Sequence, residues 1–442
     1  MHIFLDNQIE NEFRKVYLKF KAIETQTTKE YKDDYGYFSQ NITIFKPLET
    51  TCSKADFRVA AVDGSGADSL ILLNDISIHL ITANFSADQT AFSKGTTEQL
   101  DITLPIASQP DGVLRLVLLR EDKDEEVWDE FLEFIEYNYN EPLEDIVIRI
   151  LPELIKLKGL EKNYSVDNFT MENIDDIFRV ANMVPFKIKV KKQDFTNFSK
   201  WMLSSSATSA RGWFEQFREV LEYSLLHALL NSEHYFKYLF IDGSMNMLLS
   251  PRDDLPRLAS NYLLRDLAIK AYEKNTCLVA VSKTTTFPLV YRIAQDFEKD
   301  LGTEEKWFIR LPLAVLKEKQ LHMLKDRPHI PPAYGVSYLF HFSSDVPVLR
   351  IDFDLKWWLK KIHSKDKEIE KQREIELFQE LDWLAREVRY FGYFFDLAFA
   401  HNNTIIRFPD RDRVAEQLIE YFAERGENPN LFIHPRKRLG LM

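Results

Sequence analysis

Cysteine is almost absent from this chain of 442 residues: Cys52 and Cys277 are the only two. They lie far apart and match no metal-site spacing. That excludes a disulfide framework and points to a reducing compartment. Glycine (13) and proline (17) are also scarce, and neither repeats nor a low-complexity linker divides the chain. Long hydrophobic runs are missing too. The longest, such as Val113 to Leu119, fall far short of the ~18 apolar residues that a membrane span needs. The opening MHIFLDNQIENEFRKVYLKF lacks the basic-then-apolar pattern of a signal peptide, so a cytoplasmic location is the expectation. An excess of positive charge is absent as well. The net charge of −12 is the opposite of what a protein that coats DNA carries. Yet catalytic carboxylates and acidic outer faces add negative charge away from any DNA groove, so charge is neutral on nucleic acid. Finally, no Gly-x-x-x-x-Gly-Lys-Ser/Thr loop occurs, so any ATPase has to be a separate chain.

What the chain does have is apolar material. It is 45% hydrophobic and 13% aromatic, with 33 Phe and 18 Tyr, enough for a large core in one large or two ordinary domains. FRVAAVD (57–63) reads as a buried strand ending on Asp63-Gly64-Ser65. SLILLNDISIHLITANF (69–85) and GVLRLVLLR (112–120) supply further strands. The acidic run from Glu121 to Glu130 opens helices with a solvated face. SSSATS (204–209) is a small-residue loop that supplies an N-cap. After it, Phe214, Phe217, Leu221, Leu225 and Ala228 form one face of a helix over 210–230. HYFKYLFID (234–242) is a strand ending on a second Asp-Gly-Ser. A helix over 261–273, a buried strand over 276–283, a late hairpin over 338–353 and charged helices beyond 355 complete the pattern.

The order of these elements carries chemistry. A strand ends in Asp63, a meander follows, a helix carries Glu222, and another strand ends in Asp242. This predicts an α/β fold with a ribonuclease H-like mixed sheet core flanked by helices, in which acids gather at one sheet end. Phosphodiester hydrolysis needs a deprotonated water and a neutralised leaving oxygen. Two divalent ions about 4 Å apart supply both when three or four carboxylates hold them. Mg²⁺ and Mn²⁺ prefer hard oxygen ligands, hence Asp and Glu without Cys. One Asp-Gly-Ser after a strand is an ordinary turn. Two of them, separated by a helix bearing an acid, make a constellation. The glycine after each Asp is expected to let substrate approach the backbone.

Four segments then fall into a known pattern. VAAVDGSGA (59–67), YLFIDGS (238–244), LVAVSK (278–283) and GYFFDLAFAHN (392–402) resemble, in order, the four signature blocks of NurA nucleases. The resemblance covers about residues 55–85 and 210–410. It implies a ribonuclease H-like fold, action on DNA ends with Mn²⁺ or Mg²⁺, a homodimer, and a hexameric DNA-translocating ATPase of the HerA type as partner. The implied setting is end resection in DNA repair, or phage defence. It further implies a nuclease domain over 51–410, with a divergent insertion over about 90–200. That domain is flanked by a helical then irregular segment (1–50) and by a C-terminal helix and basic tail (411–442).

By the resemblance, Asp63 and Asp242 are metal ligands. The glutamate, four residues after an Arg, falls on Glu222 behind Arg218. Glu219 shares the helix but points about 60° away. The histidine of the last block falls on His401, as ligand or proton donor. Lys283, at a strand end, is a candidate for meeting a phosphate as a point charge. Arg211, at the helix start, is a candidate for guiding a DNA strand to that N-terminus. Tyr393 is followed by Phe394, where the family usually has proline, which leaves its role open, and Asp396 is an acid with no assigned role. Blander readings stand beside these: a satisfied core histidine at 401, a snorkelling lysine at 283, surface placement for Arg211, and a plain turn at Asp68. The tail HPRKRLGLM suits DNA or partner docking, or simply frays.

A restriction-type nuclease would need Glu-x-Lys on its strand, and Val281 stands where that acid belongs. The remaining alternative is a catalytically inactive nuclease-fold adaptor that binds DNA and the ATPase.

Overall fold

The computed structural model describes residues 13–19, 21, 41–66, 69–73, 76–107, 112–120, 124–147, 149–150, 210–245, 255–283, 297, 305–311, 335–343 and 346–432. The 204–209 loop, Asp68, most of the 90–200 insertion beyond residue 150, and the basic tail from 434 lie outside them.

Eleven strands among these residues form one sheet. In chain order they are β1 (Ile42–Ile44), β2 (Arg58–Gly66), β3 (Ile71–Leu73), β4 (Ile76–Ala91), β5 (Thr96–Gln99), β6 (Val113–Arg120), β7 (Tyr238–Asp242), β8 (Cys277–Ser282), β9 (Trp307–Arg310), β10 (Gly335–His341) and β11 (Leu349–Asp354). The helices are α1 (Asp124–Tyr139), α2 (Ala210–Asn231), α3 (Leu255–Glu273), α4 (Leu355–Lys361), α5 (Lys367–Leu384), α6 (Phe395–Thr404) and α7 (Phe408–Ala423). None of them is long and apolar enough to cross a membrane.

At the centre stands the order β6-β4-β2-β7-β8. The β4 strand pairs antiparallel with β2 and β6, while β2–β7 and β7–β8 are parallel. This is the meander, helix and parallel pair that the sequence pattern predicts for a ribonuclease H-like core. Beyond β8 the sheet continues antiparallel through β11, β10, β9 and β1. The β1 strand, within a stretch expected to be irregular, finds its partner more than 260 residues away in β9, a pairing that local pattern does not encode.

Both faces of the central strands are covered, which is why they read as unbroken apolar runs. On the back face, Ala60, Val62, Leu239, Ile241, Leu278 and Ala280 pack against α1, α2 and α3. On the front face, Val59, Ala61, Tyr238, Phe240, Cys277, Val279 and Val281 pack with α4, α5 and α6. Asp354 caps α4 by accepting the Trp357 N–H at 2.9 Å, and Asp366 caps α5, as short acidic side chains do at helix starts.

The front face of β4 breaks the apolar rule. Asn84, Ser86 and Asp88 stand opposite Asp63, Ala61 and Val59 and are buried. Asp396, in the first turn of α6, lies against Asp88 and Ser86. Burial pushes the Asp88 carboxyl up to about 6, with Arg389 opposing and Glu387 adding to the rise. Burial and then Asp88 push Asp396 well above the usual carboxylate range. The pair therefore retains a proton near neutral pH.

Both folded-state values exceed the unfolded value of 3.8. The pair's stabilising contribution is thus complete below about pH 4 and lost as pH rises through about 6. Asp88→Asn removes one of the two ionisations. Its melting temperature at pH 8 is expected to exceed the wild type's, by at most about 3 kcal/mol in stability, with the gain gone at pH 4. An equal shift at both pH values would contradict this account.

Candidate functional site

The two parallel strands β2 and β7 run in register, Val62 beside Ile241, so Asp63 and Asp242 stand side by side at their carboxyl ends. Side chains alternate along a strand, which sends both acids toward the front face with Ala61 and Phe240. Asp63 is 4% exposed. Its Oδ1 accepts the Gly64 N–H at 2.8 Å, and its Oδ2 lies 2.7 Å from His401 Nδ1 on α6. Burial and then Asp242 hold the Asp63 carboxyl above its usual range, against the pull of His401. Asp242 is more open and lies 3.6 Å from Lys283 Nζ, just beyond the end of β8.

Glu222 arrives from the other side of the sheet. Phe217, Val220, Leu221 and Leu225 fasten α2 to the back face, and the Glu222 side chain runs into the space where Gly64 has no Cβ. A Cβ at position 64 would lie 2.8 Å from Glu222 Cγ and 3.0 Å from its Cδ, with Oε1 closer still. Glu222, and not Glu219, makes this approach. Arg218, one turn earlier, places Nε 3.2 Å from its carboxylate. Burial is the largest influence on Glu222; Arg218 opposes it, and Asp63, Glu219 and Asp242 add to it. The carboxyl is pushed up to about 8.

Tyr393 completes the front wall. Lys283 Nζ sits 4.8 Å from the centre of its ring, a cation–π distance. Its hydroxyl is buried with no hydrogen-bond partner among the described residues, and burial, then Asp242 and Asp63, raise its pKa. Asp63, Glu222, Asp242, His401, Lys283 and Tyr393 are thus gathered at one sheet end. Arg211 lies in the first turn of α2, with its side chain outside the described residues. Asp396 lies in the first turn of α6 over Asp88, toward the start of β2 and away from Asp63.

Two features escape the sequence reading. Gly64 is expected to admit substrate, but its missing side chain admits Glu222. Gly243 fits the substrate role better, with φ +116° and, among the described residues, nothing within 4 Å of the position a Cβ would take. Arg218 enters the sequence reading only as a spacing marker, and it is the glutamate's counter-ion.

The donor set of carboxylates with one imidazole is of the type that Mn²⁺ and Mg²⁺ accept, and mutual repulsion among the acids is what a bound cation relieves. As placed, each acid turns to a basic partner of its own: Asp63 to His401, Glu222 to Arg218, Asp242 to Lys283. Among the described residues no group of three or more His, Cys, Asp or Glu converges closely enough to hold an ion.

No family model matches the sequence, and no curated protein matches it either. Among solved structures, the chain is similar to NurA nucleases. The NurA nuclease from Sulfolobus solfataricus is 12% identical over 94% of this chain and 98% of its own, at a TM-score of 0.40. A second NurA structure is 11% identical over 93% and 97%, at 0.36. A NurA bound to dAMP and manganese is 14% identical over 97% and 100%, at 0.35. Likeness at this level carries no argument about the site, which stands on its own geometry.

The close approach at Gly64 is directly testable. Gly64→Ala is expected to cost about 1–3 kcal/mol through overpacking, read from chemical denaturation. In a Glu222→Ala background the same substitution is expected to cost little, because the colliding atoms are gone. An unchanged cost there would mean that Glu222 does not occupy the Gly64 space.

Proposed function

We propose that this chain is a Mn²⁺- or Mg²⁺-dependent DNA nuclease that trims DNA ends exonucleolytically. The observation that carries this reading is the approach of three acids from three separated segments to the carboxyl ends of β2 and β7. Asp63 and Asp242 come from in-register parallel strands, and Glu222 reaches the same strand end from α2, in the space beside Gly64. Carboxylates cost free energy when buried near one another, and a fold that brings three together at an open strand end is suited to holding hard cations.

In this reading Asp63, Glu222 and Asp242 hold one or two divalent ions, with His401 at the margin. Such ions neutralise phosphate charge and make water acidic enough to serve as nucleophile. The protein's own groups do the rest. Lys283 offers a point charge to a phosphate, and the Tyr393 hydroxyl, with no partner among the described residues, offers a hydrogen bond to one of its oxygens. With Nδ1 facing the Asp63 carboxylate, His401 keeps Nε2 available to hold a proton. Arg211, at the start of α2, is positioned in sequence to meet an incoming strand. The resemblance of the four sequence blocks supports a homodimer, a HerA-type hexameric ATPase as translocating partner, and a role in DNA repair or phage defence.

A second reading is an inactive adaptor that binds DNA and the ATPase. It is favoured by the pairing of every acid with its own basic side chain, an arrangement that neutralises the cluster without a metal.

Digestion of end-labelled linear DNA with Mn²⁺, with and without a HerA-type ATPase, separates the two. Asp63→Ala and Asp242→Asn are each expected to lower cutting by more than the roughly 10–100-fold typical of groups that only support a ligand. Cutting by Asp242→Asn at the wild-type rate would remove the assigned site. A wild type that binds the ATPase and never cuts would favour the adaptor. Glu222 supplies an independent signal. It holds its proton at pH 7 and a cation takes only the ionised form, so Mn²⁺ binding at that pH should release about one proton. The buffer dependence of the binding enthalpy reads this release, and Glu222→Gln should abolish it.

A further inference from the structure

The turn that follows Asp242 is fastened more heavily than a surface loop needs. The Gly243 N–H donates to the Val281 carbonyl at 2.9 Å, and Ser282 Oγ donates to the Gly243 carbonyl at 2.5 Å. Past Gly243, two further donors converge on one distant oxygen. Ser244 Oγ at 2.5 Å and the Met245 N–H at 3.1 Å both donate to Oδ2 of Asp352. Asp352 is on β11, two strands from β7, and is 1% exposed.

Asp352 is itself held. Arg350 donates from Nε to its Oδ1 at 2.9 Å and from Nη2 to its Oδ2 at 3.0 Å, a two-pronged pairing that fixes the carboxylate plane. Both oxygens of this buried charge are therefore satisfied, the condition under which a buried ion pair is tolerated. The register explains how so distant an acid reaches the turn. Asp352 lies beside Ala280 of β8, and Ala280 lies beside Ile241 of β7. Ala280, Ile241 and Met245 all belong to the back-face core. In that register the small side chain of Ala280 is the one that separates Asp352 from Ile241 of β7.

We propose that Asp352 is a positioning residue. Through Ser244 and Met245 it fixes the turn that aims Asp242 at the ions and substrate, with Arg350 holding it in place. This rests on the nuclease reading for its consequence, though not for the anchoring itself. A carboxylate is suited to the task because its two oxygens can accept both turn donors on Oδ2 while Arg350 bridges Oδ1 and Oδ2.

The test uses Asp352→Asn, together with Ser244→Ala, which leaves the Asp352–Arg350 pair intact and guards against a variant that fails to fold. Three quantities are read on each full-length protein. These are amide exchange at Ser244 and Met245, half-saturating Mn²⁺ by calorimetry, and kcat and KM for end-labelled DNA. The expected result is exchange at least about tenfold faster at these amides. Half-saturating Mn²⁺ should rise about tenfold and kcat at fixed Mn²⁺ should fall, with KM for DNA little changed. Exchange and Mn²⁺ affinity both at wild-type values in the two variants would overturn the proposal. A wild type that neither binds Mn²⁺ nor cuts overturns the nuclease reading instead, and amide exchange alone then decides whether Asp352 anchors the turn.

Discussion

The site depends on one missing side chain. A sheet separates its two faces, and the acids at its carboxyl end lie on the front while the helix that bears Glu222 packs on the back. On the back face Glu222 reaches the strand end because Gly64 carries no Cβ there; a side chain at position 64 would collide with it. The glycine's conformational freedom is beside the point; what matters is empty volume. Once Glu222 fills it, burial and the nearby acids raise its carboxyl, and each acid at the strand ends has a basic neighbour. Arg218 lies one helical turn before it, His401 against Asp63, and Lys283 against Asp242.

Much of this was legible in the sequence, for a physical reason. A parallel strand buried on both faces must be apolar throughout, so a run such as VAAVD announces both the strand and the point where it ends. A helix fastened on one side shows its apolar period, which leaves few directions for an acid within it. The central five-strand order, the α2 boundaries and the acids at the strand ends follow from such local rules. The role of Gly64 does not. Its neighbour is 158 residues away, and nothing near position 64 distinguishes a gap filled by protein from a gap left for substrate. Gly243 carries the same Asp-Gly-Ser signature with the opposite outcome, a positive φ and no contact of its absent Cβ among the described residues.

The polar stripe on β4 was hidden by the same cause. Asn84, Ser86 and Asp88 alternate with Ala83, Phe85 and Ala87, and such alternation ordinarily marks a strand with one wet face. Here α6 covers that face, so the stripe is buried and Asp396 meets Asp88 in a place that water does not reach. The helix is nonetheless tied down at its far end, where Thr82 Oγ1 donates to the Thr404 carbonyl at 2.7 Å. Burying acids beneath α6 weakens its seat as pH rises. Its apolar side, with Leu397 in the front core, keeps His401 against Asp63 all the same.

The antiparallel extension of the sheet also bears on the site. A five-strand core would end at β8, leaving the turn after Asp242 held from one side by Val281 and Ser282. Adding β11 brings a second source of hydrogen bonds to that turn, from a strand whose own place is fixed by pairing on both edges. Rigidity matters most for Asp242 because it is the more exposed of the two strand-end acids, with the partly exposed Lys283 as its ionic partner. Asp63 is confined by α6, and Glu222 by the gap at Gly64. For Asp242 the equivalent constraint has to come through the chain itself, from the residues that follow it.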